Sequence, residues 1–200
     1  VLSMQFLSTA SVGDVVRELS TFAAKYQQWI EQQNDGISKV KPSLQDIARS
    51  NVQKCRDAYN RINYAIKILK DSATGDRKAF RAFQLANEAM LLQRRQTLLK
   101  NGKQFDPDKV CWYPFQLAFV LHELTSFIEP KGHPGQEVPD RQMVDLLWFP
   151  TGGGKTEAYL GITAFVIFLR RLRDANADGV TVIMRYTLRL LTLQQFERAS

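Results

Sequence analysis

Apolar residues recur at helical spacing through the first third of the chain. One amphipathic segment covers about 12–33 and ends before an Asn-Asp-Gly turn at 34–36, and a second begins after Pro42 and Ser43. In the second segment the apolar residues alternate at steps of four and three, which predicts a helix that packs against another helix. Those residues are Ala48, Val52, Cys55, Tyr59, Ile62, Ile66 and Leu69.

A third helix is expected after the Thr-Gly-Asp turn at 74–76 and extends to about Lys100. Its apolar side carries Phe80, Phe83, Met90 and Leu91. Because the phenylalanines fall at helical spacing, they fit a packed core better than a surface that stacks nucleic-acid bases. Basic residues also follow this helix: Arg77, Lys78, Arg81, Arg94 and Arg95.

The pattern changes in the second half of the chain. A turn-rich connector at 101–107 precedes a helix that reaches about Ile128, and a loop rich in glycine and proline covers 129–140. An apolar run at 143–149 and a β-branched run at 180–184 predict two strands on either side of an apolar helix. Strand, loop, helix and strand form a βαβ unit, so we expect an α/β fold with a parallel sheet covered by helices.

Length and composition fit a globular protein of one or two domains, with 200 residues and 44% hydrophobic content. We divide it into a helical N-terminal module at 1–110 and the beginning of a second domain, incomplete in this sequence, at 111–200. The formal charge of +7 lies in the first part, where 18 Lys and Arg face 11 Asp and Glu, against nine of each in the second. Nucleic acid is a plausible partner for this basic module, and a solvated basic helical surface explains the charge equally well.

The chain carries no pattern of secretion or membrane insertion. Cys55 and Cys111 are the only cysteines, so no disulfide framework is expected. The longest apolar stretch, at 158–169, is too short to cross a bilayer. We expect a reducing, cytoplasmic setting and no membrane partner.

The candidate chemistry lies in the sequence P-T-G-G-G-K-T at 150–156, between the first expected strand and the apolar helix. Consecutive glycines leave backbone N–H groups open to a polyphosphate, and the helix N-terminus adds partial positive charge. Lys155 can reach the terminal phosphates, and the Thr156 hydroxyl can ligate Mg²⁺. These two residues are the catalytic candidates. The cofactor-binding candidates are Gln116, Thr151, Gly152, Gly153, Gly154, Lys155, Thr156 and Glu157.

The strict phosphate-loop pattern G-x-x-x-x-G-K-[ST] fails, because Phe149 stands where its first glycine should be. A glycine turn that merely joins a strand to a helix is the alternative. The sequence as it stands resembles motif I of superfamily-2 helicases and translocases, in which the outer glycine is not required. That resemblance implies a RecA-like P-loop domain with ATP and Mg²⁺ as cofactors.

Gln116 resembles the glutamine of the helicase Q motif, although it precedes Lys155 by 39 residues. A side-chain amide can accept from and donate to adenine. A capping or solvent-facing glutamine at a helix start is the other interpretation.

The segment after the second expected strand resembles helicase motif Ia, which grips the sugar–phosphate backbone. Arginines and hydroxyls at the end of a strand suit phosphate contact without base reading. The DNA-binding candidates are Arg185, Thr187, Arg189 and Gln195, and a solvated helix start would explain them as well. His122 and His133 have no cysteine at ligand spacing, so the only metal expected is the Mg²⁺ that accompanies ATP.

Longer runs at 79–90, 112–119, 144–161 and 184–199 resemble the helicase subunit of the bacterial DISARM anti-phage system. Tyr113 departs from that family, in which arginine is expected at this place. The resemblance implies an ATP-driven motor on invading DNA that works with a second large subunit and alongside a DNA methyltransferase. A double-stranded DNA translocase of the restriction or remodelling type is an alternative, and so is a helical module that docks a partner protein.

These 200 residues contain no D-E-x-x motif II and no second motor lobe. Water attack on the γ-phosphate depends on positioning and charge neutralisation by several such elements. We therefore expect this chain to bind ATP and to hydrolyse it negligibly by itself.

Overall fold

The computed structural model describes residues 2–129, 140–148 and 154–185. Within these ranges there are six α-helices, joined in part by short 3₁₀ turns. The helices are α1 (Met4–Thr9), α2 (Val12–Gly36), α3 (Gln45–Thr74), α4 (Lys78–Lys100), α5 (Pro114–Ile128) and α6 (Lys155–Arg173). The 3₁₀ turns are Ile37–Lys39, Pro42–Leu44, Pro107–Lys109 and Asp140–Gln142.

Local sequence sets the helix ends. The hydroxyl of Ser11 accepts a hydrogen bond from the backbone N–H of Asp14 at 3.2 Å and caps α2. The Ser72 hydroxyl, at the end of α3, accepts from the backbone N–H groups of Ala79 and Phe80 and so satisfies the first turn of α4. Pro114 occupies the first turn of α5, where its missing N–H costs nothing.

The long helices predicted from apolar spacing are confirmed. Phe80, Phe83, Met90 and Leu91 are buried in α4, as a core position requires, and Val52, Ile62, Ile66 and Leu69 are buried in α3. Helix α1 was not predicted from the sequence. Its signal is Ser3, whose hydroxyl accepts from the Phe6 backbone N–H at 3.3 Å.

One buried indole joins three parts of the core. Trp112 donates from Nε1 to the Asn87 side-chain oxygen of α4 at 2.8 Å, and Asn87 in turn donates to the Phe83 carbonyl. The ring lies against Gly161 of α6, where an added Cβ would come within 2.7 Å of the indole. Glycine at 161 therefore allows α6 to approach Trp112 closely.

The expectation of an α/β fold with a parallel sheet is wrong for the described residues, which contain helices and no strand. Residues 144–148 and 180–184 have no regular secondary structure, and Val144 is 98% exposed. A strand forms only when a neighbouring backbone accepts and donates its ladder hydrogen bonds, and neither run has such a neighbour in the described ranges. The only strand-like contact there is an isolated antiparallel bridge between Ser3 and Cys111.

The main apolar cluster includes residues from both sides of position 110. Leu7, Phe83, Leu124 and Phe165 belong to it, from α1, α4, α5 and α6 respectively. A smaller cluster of Ile30, Ile37 and Val52 joins α2 to α3. The division at residue 110 stays a prediction, and the structure shows that α6 packs on helices from the N-terminal part.

Among the described helices, none combines the length and the apolar character needed to cross a bilayer. Cys55 and Cys111 are free thiols.

Candidate nucleotide-binding site

Helix α6 begins at Lys155, directly after Gly154. Gly154 has φ +85°, a left-handed conformation that favours glycine over every residue with a Cβ. Lys155, Thr156 and Glu157 follow in the first turn and are half-buried. The first N–H groups of the helix have no partner within α6 and lie at the end beside Gly154, where such groups can bind an anion. The predicted residues Thr151, Gly152 and Gly153 lie outside the described residues.

Gln116 of α5 contacts Gly154 at the start of α6. Its amide nitrogen Nε2 donates to the Gly154 carbonyl at 2.7 Å, and its oxygen Oε1 accepts from the Tyr113 backbone N–H at 2.8 Å. The side chain is buried. An added Cβ on Gly154 would lie 2.7 Å from this Nε2, so glycine at 154 is required by both its φ angle and its contact.

The structure therefore brings Gln116 to the start of α6, although Gln116 precedes Gly154 by 38 residues in the chain. The Gln116 amide forms hydrogen bonds with the backbone through both its nitrogen and its oxygen. An adenine that uses the same amide would replace the Gly154 contact. The adenine role of Gln116 stays a prediction.

Beside these residues lies an open cleft of about 810 Å³, which is large enough for a nucleotide. Gln116, Gly154 and Glu157 line this cleft, together with residues of α4 and of the connector at 104–111. The exposed ring of Tyr113 stands at the cleft and stacks nearly parallel on Phe115, with ring centroids 6.2 Å apart. The cleft thus combines aromatic surface, side-chain polar groups and a helix N-terminus.

The donor set fits Mg²⁺ bound with a nucleotide. Thr156 supplies a hydroxyl in the first turn of α6, and Mg²⁺ prefers oxygen ligands completed by phosphate and water. Glu157 adds a carboxylate in the same turn. Thr156 would therefore hold the ion together with the phosphates.

A buried ion cluster that the sequence did not indicate lies on α3 and α5. Arg61 donates from its two terminal nitrogens to the two oxygens of Asp145 at 2.9 and 3.2 Å, and Arg61 is buried. Glu123 lies 4.0 Å from the same guanidinium, and His122 Nδ1 lies 3.0 Å from the Glu123 carboxylate. The cluster fastens the extended segment 144–148 to the helices. The signal available in sequence was a single arginine within an apolar helix face.

The side chains of His122, Glu123 and Asp145 converge closely enough to be considered as metal ligands. However, the Arg61 fork already occupies both oxygens of Asp145. An arginine and a divalent cation compete for the same carboxylate, so the arrangement fits an ion-pair cluster better than a metal site.

A second open cleft, of about 860 Å³, adjoins this ion cluster and does not include Gln116 or Gly154. Phe22, Tyr26 and Phe119 line it, with Lys25 as a basic residue. Burial raises the pKa of Tyr26 to about 12, with a smaller contribution from Cys55, so its hydroxyl is neutral at physiological pH. The mostly apolar lining does not suit a polyphosphate.

Of the predicted DNA contacts, Arg185 lies in the described residues and is exposed. Thr187, Arg189 and Gln195 lie outside them. The turn before Arg185 is held by α6, because the Arg170 guanidinium donates to the Val180 carbonyl at 3.2 Å and to the Thr181 hydroxyl at 2.9 Å. A single helix thus carries Lys155 at its start and fixes the chain that leads to Arg185 at its end.

No protein-family model matches the chain. Among curated proteins, it is 35% identical to the DISARM protein DrmA of Bacillus paralicheniformis over 97% of this chain. The aligned part makes up 17% of that relative's length, so the chain spans a small part of the protein that it matches. The resemblance to the DISARM family inferred from the sequence motifs is confirmed, and this chain is DrmA-like along nearly its whole length.

Proposed function

We propose that this chain binds ATP with Mg²⁺ at the start of α6. The observation that supports this most directly is the left-handed Gly154, which directly precedes a 19-residue helix that begins with Lys155 and Thr156. A helix start of this kind offers N–H groups and the positive end of the helix dipole to a phosphate. The adjoining cleft has room for the rest of the nucleotide.

Each residue then has a defined task. Lys155 neutralises charge on the terminal phosphates, Thr156 ligates Mg²⁺, and Gln116 contacts adenine. Mg²⁺ held there would supply charge neutralisation for in-line attack of water on the γ-phosphorus, with ADP as the leaving group. Thr151, Gly152 and Gly153 would complete the phosphate contacts, and Glu157 would add a carboxylate in the same helical turn as Thr156.

We further propose that the protein acts in DISARM anti-phage defence, as a superfamily-2 ATPase that moves on foreign DNA. The similarity to DrmA supports the defence role, and the glycine-rich sequence supports the ATPase role. DNA would contact Arg185, Thr187, Arg189 and Gln195. A second large subunit and a functional link to a DNA methyltransferase complete the proposed system.

Lys155→Ala tests the nucleotide site. We expect the affinity for Mg·ATP, measured by isothermal titration calorimetry, to fall by about tenfold to a hundredfold, the range for losing one charge-assisted contact. Lys67→Ala is the matched control, because Lys67 is an exposed lysine on α3 that pairs with Asp71 at the surface. Equal affinity for ATP in the two variants would refute the site.

Gln116→Glu tests the adenine contact. Glutamate keeps an oxygen for the Tyr113 N–H and removes the amide donor. We therefore expect the affinity for ATP to fall about tenfold more than the affinity for GTP. The control is Gln96→Glu, at an exposed position of α4 with the same change of charge. If ATP and GTP weaken equally, Gln116 serves only to hold Gly154.

A further inference from the structure

Helix α4 forms one side of the cleft that contains Gln116 and Gly154. Arg94 on α4 and Lys109 on the following connector are the basic residues that line this cleft in the described part of the chain. We propose that Arg94 is a second phosphate-binding residue of the nucleotide site, supplied by the helical N-terminal part. This inference rests on the proposed ATP site and adds a residue that the glycine-rich motif does not contain.

The side of the cleft that carries Arg94 is held firmly relative to Gly154. Asn87 accepts a hydrogen bond from Trp112, and Trp112 packs against Gly161 of α6. Arg94 follows Asn87 by seven residues, which places it on the same face of α4, about 10 Å further along the helix axis. Met90 lies between them, is buried, and lines the cleft itself.

Charge distinguishes Arg94 from Lys109. Lys109 Nζ lies 3.1 Å from the Asp106 carboxylate, so its charge is already partly balanced. Glu157 also lines the cleft and adds a negative charge there. A nucleoside triphosphate carries several negative charges, and a guanidinium can donate to two phosphate oxygens at once. Arg94 therefore provides a phosphate-binding cation within the cleft itself, beside the start of α6 that carries Lys155.

The neighbouring residue offers a close comparison. Arg95 is also exposed, but its guanidinium lies over the Phe105 ring at 5.8 Å from the centroid and does not line the cleft. The two arginines share a helix, a charge and a degree of exposure. They differ in whether they face the cleft.

The experiment compares Arg94→Gln with Arg95→Gln by calorimetric titration of the purified protein with ATP, ADP and adenosine. We expect Arg94→Gln to bind ATP about tenfold more weakly than Arg95→Gln does. The difference between the two variants should be smaller for ADP than for ATP. Adenosine carries no phosphate, so its affinity should be the same in both variants. Circular dichroism should give the same melting temperature for both, because both side chains are exposed.

Three results would contradict parts of this picture. Equal ATP affinity in the two arginine variants, with Lys155→Ala still defective, would overturn the role of Arg94 and leave the ATP site intact. If Arg94→Gln reduced the affinity for ATP and for adenosine equally, the proposed contact between Arg94 and phosphate would be overturned. Unchanged ATP binding in Lys155→Ala would overturn the proposed ATP site itself.

Discussion

Two regions of the chain are rich in apolar residues and differ in what happens to them. In the helical core Phe83 and Phe165 are almost fully buried. In the segments 144–148 and 180–184, which lie outside the helices and were expected to be extended strands, Leu146 and Ile183 are mostly exposed. A helix satisfies its backbone hydrogen bonds internally, so its apolar face needs only neighbouring side chains. An extended segment must also find a neighbouring backbone. In the described residues, apolar side chains are therefore buried where they lie on helices and exposed where they lie in these two segments.

The extended segments are nevertheless attached to the helices at defined polar points. The Arg61 fork holds Asp145, and the Arg170 guanidinium holds the start of 180–184 at Val180 and Thr181. Leu147 is half-buried, while its neighbours Leu146 and Trp148 are exposed. The first segment thus turns one side to the helices and the other to solvent.

The largest effect is expected from Trp112→Ala, which tests whether the helical core is one cooperative unit. The change removes a buried indole from between α4 and α6 and leaves Asn87 without its donor. We expect the free energy of unfolding to fall by about 3–5 kcal/mol, measured by urea denaturation with circular dichroism.

Trp29→Ala is the control for this loss. Trp29 is 45% exposed and stacks on Tyr26, with ring centroids 5.8 Å apart. Losing a half-exposed stacked ring should cost about 1 kcal/mol. Equal destabilisation by the two substitutions would show that Trp112 does not join the helices as described.

An intermediate effect is expected from Arg61→Met, which detaches the extended segment from the core. Methionine fills similar volume, but the carboxylates of Asp145 and Glu123 lose their main counter-charge while half-buried. The cost of breaking a buried pair, reduced here by partial solvent access, is about 2–3 kcal/mol. Urea denaturation with circular dichroism measures this loss.

Arg56→Met provides the matched measurement on the same helix. Arg56 pairs with Glu31 at 3.3 Å, and both side chains are far more exposed than those of Arg61 and Asp145. Such surface pairs contribute at most about 1 kcal/mol. If Arg61→Met is no more harmful than Arg56→Met, the segment is held by something other than the ion cluster.

Apolar periodicity was enough to predict the long helices, because the spacing of residues such as Val52, Ile62 and Leu69 depends only on local geometry. The same reasoning failed for 143–149 and 180–184. Their composition is typical of strands, but pairing depends on partners distant in sequence, and composition does not specify them. Sequence patterns are therefore reliable where the structure is local.

Prediction of the candidate nucleotide-binding site from the sequence has the same limit. The helix start at Lys155, directly after Gly154, could be located from adjacent residues alone. The contact of Gln116 with Gly154, and the position of Arg94 at the same cleft, depend on how α4, α5 and α6 pack. Arg94 was visible only as one of several basic residues on a helix, since nothing in the sequence distinguishes it from Arg95.

The smallest effect is expected where the exposed segments lose an apolar side chain. Val144→Thr and Ile183→Thr remove methyl groups that already contact water, so each should change the free energy of unfolding by less than about 0.5 kcal/mol. Val15→Thr makes the same substitution as Val144→Thr at a fully buried position of α2 and should cost about 1–2 kcal/mol, because a hydroxyl enters the core. Urea denaturation of the three variants measures the contrast. If Val144→Thr costs as much as Val15→Thr, the extended segment is covered in solution, and the difference between the two regions does not hold.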